Sequence, residues 1–295
     1  MNSKIGGLDV PGFAIDGLTI ALVLLAALLH ASWNGLARAS GDPLVNVAVV
    51  TTTGGVIALP FLFLLPLPTG ETWGWLAASA VVHFVYQLGL ARMYRLGELS
   101  EVDPIARGLA PLGVAMLGAL FAGQWLLPHQ SAGLVVAAVA IIALGRSSTG
   151  APATRSAVFT AVGVAVLIVL YTYSDGRGVR SVDRPERFIA WSFFLGCVPF
   201  AIYTAWARRG VGREALRRDG LRAVGGGVMA TIGYGIVLWA MSRAPFALVS
   251  SLRESSVLFA AAIGAGILRE SFGRRRLLAA GLLALGLALV QLGPF

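Results

Sequence analysis

The chain has 295 residues, of which 57% are hydrophobic and 13% charged, with a mean hydropathy of +0.80. Soluble domains carry roughly 25% charged residues, so composition argues against a water-soluble globule and for an exterior solvated by lipid. The net charge of +9 sits in short runs between apolar segments, such as Arg208-Arg209 and Arg274-Arg275-Arg276. Such runs anchor helices at a membrane surface and do not form the clustered patch of a nucleic-acid binder.

Cys197 is the sole cysteine, so no intrachain disulfide is available. Lys4 is the sole lysine and every other basic residue is arginine, a bias that suggests a GC-rich, bacterial genome. The first apolar run follows Lys4, Asp9 and Asp16, a weakly basic start, and reads as a permanent span rather than a cleaved signal.

A helix needs about 20 apolar residues to cross a bilayer. Ten segments qualify: 17–38, 44–65, 73–94, 101–123, 130–146, 155–174, 187–207, 221–241, 245–268 and 275–293. The connectors, such as Ser40-Gly41-Asp42-Pro43, are short and turn-rich, and none is long enough for a separate soluble domain. The predicted fold class is therefore an all-α polytopic membrane protein of about ten helices. Trp73, Trp75 and Trp206 are expected at the membrane interfaces.

Polar residues interrupt particular spans. His30, Trp33 and Asn34 lie within about one turn of the first. Tyr86 and Gln87 interrupt the third, Arg107 the fourth and Tyr234 the eighth, while Tyr171, Tyr173 and Asp175 close the sixth. The ninth is the most polar, with Ser250, Ser251, Arg253, Glu254, Ser255 and Ser256. Charge inside a span is costly and normally faces a partner or a watery cavity. Arg107 and Arg253 are therefore expected either to contact an anion or gate a pathway, or to close salt bridges that only hold helices together. Glu254 faces away from Arg253 on a regular helix. It is read either as a proton-coupling carboxylate, because burial raises a carboxyl pKa, or as the permanent partner of an arginine. Pro111 cannot donate to the carbonyl of Arg107, so a kink is expected there.

The chain also repeats. A shift of 146 residues brings Arg107 onto Arg253, Leu112 onto Leu258, Gly118 onto Gly264 and Gln124 onto Glu270. Two halves of five helices follow, 1–150 and 151–295. An odd number of spans per unit forces the units into opposite orientations, the inverted repeat of many secondary transporters. His30, His83 and His129 lack metal-ligand spacing, and no Walker loop or GxSxG elbow is present, so no metal, cofactor or enzymatic activity is expected.

Three stretches carry a resemblance: Leu28-Leu29-His30-Ala31-Ser32-Trp33-Asn34, then 99–108 (Leu-Ser-Glu-Val-Asp-Pro-Ile-Ala-Arg-Gly), then 247–256 (Ala-Leu-Val-Ser-Ser-Leu-Arg-Glu-Ser-Ser). With the spans around them they resemble the EamA-like ten-helix members of the drug/metabolite transporter superfamily. The resemblance implies two inverted repeats around a central cavity and secondary transport, often export, of amino acids or other metabolites. The chain departs from the family pattern at Gly123-Gln124, where a Gly-Glu is common.

The expected function is secondary transport of a small polar or amphipathic metabolite by alternating access, an amino acid or organic anion being natural cargo. The alternatives are a flippase for a lipid-linked headgroup or a non-transporting partner subunit. Residues expected at the substrate site or gate are Arg107, Arg253, Glu254, Ser255, His30, Trp33, Asn34, Tyr86, Gln87, Tyr171, Asp175 and Tyr234. Expected partners are the small-molecule substrate and the lipid bilayer, with a homodimer an admissible assembly and no nucleic acid. The expected location is a bacterial cytoplasmic membrane. Orientation sets two rules against each other. The resemblance places both termini in the cytoplasm, which leaves six basic residues on cytoplasmic loops and sixteen on the opposite ones. The positive-inside rule therefore expects both termini outside.

Overall fold

The computed structural model describes residues 3–5, 8–10, 15–37, 42–96, 99–144, 154–209, 212–266 and 274–293. Two three-residue strands, β1 (Ser3–Ile5) and β2 (Leu8–Val10), pair antiparallel ahead of the helices. The helices are α1 (Gly17–Ala37), α2 (Pro43–Leu64), α3 (Thr72–Leu96), α4 (Leu99–Ala122), α5 (Pro128–Leu144), α6 (Arg155–Arg180), α7 (Pro185–Ala207), α8 (Gly212–Met241), α9 (Phe246–Arg253), α10 (Ser256–Gly266) and α11 (Arg274–Gln291). Among the described residues eight stretches are long and apolar enough to span a membrane, with α9 and α10 counted as one, and α5 and α11 supply two shorter apolar helices. These are the ten segments read from the sequence. The protein is an all-α, multi-pass membrane protein.

Local chemistry sets the helix starts. The Asp42 carboxylate accepts from the N–H groups of Leu44 and Val45 at 2.9 and 3.2 Å, and Pro43 opens α2 with no N–H to satisfy. Pro185 opens α7 in the same manner, and the Thr154 hydroxyl caps α6 by accepting from Ala157 N–H at 3.2 Å. The exterior is the reverse of a soluble protein's: Phe63, Leu64, Phe159, Leu221 and Leu278 are all exposed. In water such a surface would drive aggregation, whereas in lipid it carries no penalty.

Two boundaries differ from expectation. The sixth span does not stop at Asp175 but runs a further turn to Arg180, which places Asp175 inside the bundle and fully buried. The ninth span is broken. At Glu254 and Ser255 the N–H groups reach back only three residues, to Ser251 and Leu252, and the axis is interrupted between α9 and α10. By contrast α4 runs unbroken through Pro104 and Pro111.

Packing follows a pattern. Helix α5 lies along α11, α2 along α7, α1 along α8 and α3 along α6; α4 packs on α6 and on α9, and α1 also packs on α9 and α10. Exchange each helix of the first half with its counterpart five spans later and this list maps onto itself. The α5–α11 contact is especially close. A Cβ on Gly286 would lie 2.7 Å from the Ala137 nitrogen, and one on Gly133 would lie 2.7 Å from the Gly286 carbonyl oxygen, so only glycine permits this approach.

Hydrogen bonds at the helix ends define two faces. On one, Arg180 at the end of α6 donates to the carbonyls of Met241 and Ala244 at 2.8 and 2.7 Å. There too Gln130 at the start of α5 donates to Leu292 O at 3.0 Å. The Gln124 side-chain oxygen accepts from Phe246 N–H at 2.9 Å on the same face and caps α9 from the other half of the chain. This accounts for the Gly123-Gln124 departure: the bond needs an acceptor oxygen, which an amide supplies as well as a carboxylate. Gly123 allows it by turning the chain at φ 63°. Ile15, before α1, is buried in the same cluster as Phe246 and Ala244. This face therefore carries both ends of the bundle and is termed the terminal face. On the opposite face Arg208, after α7, donates to Asp42 at 2.7 Å.

Candidate functional site

A cavity of about 170 Å³ lies at the centre of the bundle. Its wall draws His30 and Trp33 from α1, Val50 and Gly54 from α2, and His83, Tyr86, Gln87 and Leu90 from α3. The second half supplies Tyr171, Ser192, Phe193, Cys197, Thr231, Tyr234 and Arg253. On α1, α2 and α3 the lining residues occupy the middle and the half nearer the opposite face. The terminal-face half is filled by a core cluster in which Val179, Phe188, Met241 and Phe246 are almost wholly buried.

Two polar clusters meet the cavity. In the first, the buried Asp175 carboxylate accepts from the Tyr234 hydroxyl at 2.6 Å and pairs through the same oxygen, Oδ2, with His83 Nε2 at 2.9 Å. Tyr171 stacks on the His83 ring at 4.4 Å, and Tyr86 meets Tyr171 edge-on. The result is an aromatic wall with a carboxylate behind it. Asp175 Oδ1 and the side-chain oxygen of Gln87 have no hydrogen-bond partner among the described residues.

The second cluster is ionic. Arg107 Nε donates to Asp103 at 2.6 Å, and its Nη1 donates to Glu254 Oε2 at 3.3 Å and to the Ser256 hydroxyl at 3.2 Å; Nη2 meets His30 Nε2. Arg253 Nη2 reaches the other Glu254 oxygen at 3.5 Å, while its Nε has no hydrogen-bond partner among the described residues. One carboxylate thus faces two guanidiniums. Glu254 does not point away from Arg253, as a regular helix would dictate. The break after α9 turns it back toward both arginines.

The two arginines are therefore not equivalent. Arg107 is consumed by protein groups and braces α4 against α1 and the α9–α10 break. Arg253 is held at one edge by Glu254 and presents the rest of its guanidinium to the cavity wall. Of the twelve residues named from the sequence, His30, Trp33, Tyr86, Gln87, Tyr171, Tyr234 and Arg253 line the cavity. Asp175, Glu254 and Arg107 stand directly behind that lining. Ser255 is buried next to Glu254 outside the wall, and Asn34 is half-buried on α1 and also outside it.

Sequence reasoning missed His83 and Asp103. Both had a legible signal: His83 shares a helix face with Tyr86 and Gln87 at spacings of three and four, and Asp103 stands four residues before Arg107. Trp73 and Trp206 are exposed as interface anchors should be, whereas Trp75 is half-buried beneath Arg177 and against Tyr173.

Residues 155–292 match the family described as the EamA-like transporter family. That half of the chain is similar to the EamA-like family. It supplies Tyr171, Asp175, Tyr234, Arg253 and Glu254 to the site. The coarse function that follows is movement of small molecules across a membrane by a multi-pass protein. A solved structure described only as "Crystal structure of protein" is similar over 93% of this chain and 96% of its own, with a TM-score of 0.73 and 17% identity. At that identity the likeness shows the fold. No curated protein matches the chain.

Proposed function

We propose that the protein is a secondary transporter of a small amphipathic solute that carries a carboxylate, and that it works by alternating access around the central cavity. The observation that carries this reading is Arg253, a buried guanidinium set in the wall of a largely aromatic and apolar cavity and only partly neutralised by Glu254. A guanidinium binds a carboxylate through a planar fork, and the rings of Tyr86, Tyr171, Tyr234 and Phe193 suit an apolar or aromatic body. A cavity of about 150 Å³ accepts benzene, so 170 Å³ suits an amino acid or similarly sized organic acid.

The closed terminal face and the placement of the lining support a state that admits solute from the opposite face. The packing pattern supports halves 1–150 and 151–295 as inverted five-helix repeats, so exchanging the conformations of the two halves would open the terminal face instead. The compositional bias supports a bacterial cytoplasmic membrane, and the excess of basic loops on the opposite face favours the cytoplasm for that face. Solute entering from there would leave the cell, which makes the protein an exporter.

Reconstitution into liposomes tests the reading. Flux of radiolabelled small acids is compared with flux of their uncharged amides. The expected result is saturable movement of at least one acid and at least tenfold slower movement of its amide. Equal flux of acid and amide, or no flux across a panel of amino and aromatic acids, would refute it.

A further inference from the structure

A second pocket, of about 110 Å³, lies at the opposite-face end of α2, α3 and α7. Leu44, Leu88 and Tyr203 form its apolar part, and Arg92, Arg95, Arg208 and Asp42 its polar part, three cations to one carboxylate. Arg208 is fixed by Asp42 at 2.7 Å. Arg92 and Arg95 are exposed and have no hydrogen bond or ion pair with a described residue.

This pocket is separate from the transport cavity. On α3 the cavity is lined by His83, Tyr86, Gln87 and Leu90, and this pocket by Leu88, Ala91, Arg92 and Arg95. At about 100° per residue the two sets point roughly 140° apart. In the second set Arg92 and Arg95 are exposed on the side of α3 turned away from the cavity, while Ala91 is buried. Below Leu88 and Arg92 the same stripe of α3 continues with Val85 and Val81, both exposed, and the adjacent end of α7 exposes Ile202 and Trp206.

We infer that this pocket binds the phosphate of an anionic phospholipid, with Arg92 and Arg95 holding the headgroup and the Val81–Val85 stripe carrying an acyl chain. The depth is appropriate, because α2 begins and α3 and α7 end where headgroups lie. Basic pockets between helix ends recognise anionic lipids by this chemistry. A soluble phosphate would find the arginines but gain nothing from the apolar stripe, which argues for a lipid as the occupant. The inference does not depend on what the central cavity transports.

The test is thermal unfolding of the full-length protein in detergent with added phosphatidylglycerol, phosphatidylcholine or soluble glycerol 3-phosphate. Phosphatidylglycerol alone is expected to stabilise the protein. Arg92→Gln/Arg95→Gln is expected to raise the lipid concentration needed by about tenfold. Arg217→Gln/Arg222→Gln, which removes the same charge from exposed positions on the same face, is expected to leave it unchanged. Photo-crosslinking of a phosphatidylglycerol analogue to the unaltered protein should label α3 between Val81 and Arg95, a readout independent of how the variants fold. Equal loss in both double variants, equal protection by glycerol 3-phosphate, or labelling confined to other helices would overturn the assignment.

Discussion

Replacing Arg107 by methionine removes the brace between α4 and the break after α9 while keeping an unbranched side chain. Its bond to Asp103 is an i, i+4 pair with a partly exposed partner and contributes about 0.5 kcal/mol. Its bond to Glu254 is different, because Glu254 is 1% exposed. Breaking a buried pair costs about 3–5 kcal/mol when one charge is stranded. Glu254 keeps Arg253 at 3.5 Å, so the lower end of that range is expected, and the total is about 3.5 kcal/mol. A double-mutant cycle isolates the pair: Arg107→Met, Glu254→Gln and the combination, unfolded by denaturant in mixed micelles. The coupling energy should exceed about 1 kcal/mol, as for groups sharing one buried network. A coupling under about 0.5 kcal/mol would show that the two side chains act independently and would refute the bracing role.

Tyr234→Phe removes the hydroxyl that donates to Asp175 Oδ2 at 2.6 Å, and chemical denaturation should show a loss of about 1–3 kcal/mol. Gly286→Ala places a methyl group against the backbone of α5, so α5 and α11 must separate; a loss of about 1–3 kcal/mol is expected in the same assay. For Asp42, burial pushes the pKa up, but the hydrogen bond from Arg208 and those from the Val45 and Leu44 N–H groups outweigh it, and the folded value lies below the ordinary one. Its contribution to stability is thus complete above about pH 4 and is lost as pH falls through the lower folded value; Asp42→Asn should flatten acid unfolding in that window. A reporter fused after Phe295 should be active as periplasmic alkaline phosphatase, and fluorescence from a cytoplasm-only reporter there would reverse the orientation.

The spans were legible because lipid imposes one requirement everywhere: about twenty apolar residues with every backbone group bonded internally. The site was legible where a polar residue had no reason to be in a span, as with Arg253, Gln87 and Tyr234. Hydropathy could not show partners, because pairing joins residues far apart in sequence. The sequence reads Asp175-Gly176 as the end of a span, yet the helix continues to Arg180. Glu254 was misdirected for a similar reason: a regular helix was assumed where the chain breaks. The difference between Arg107 and Arg253 is likewise invisible in their matching repeat positions. It arises from Asp103, His30 and Ser256, which crowd only Arg107.

Recognition of a carboxylate by Arg253 inside the central cavity is the proposal on which the transport reading rests. Its most direct test is uptake of the best-transported acid into liposomes containing either the unaltered protein or Arg253→Met, each checked for folding by size-exclusion profile. At least a hundredfold loss of saturable flux is expected in the variant, equivalent to about 2.7 kcal/mol, with Arg253→Lys restoring only a small part of it. Flux through a folded Arg253→Met protein within a few fold of the unaltered one would contradict it.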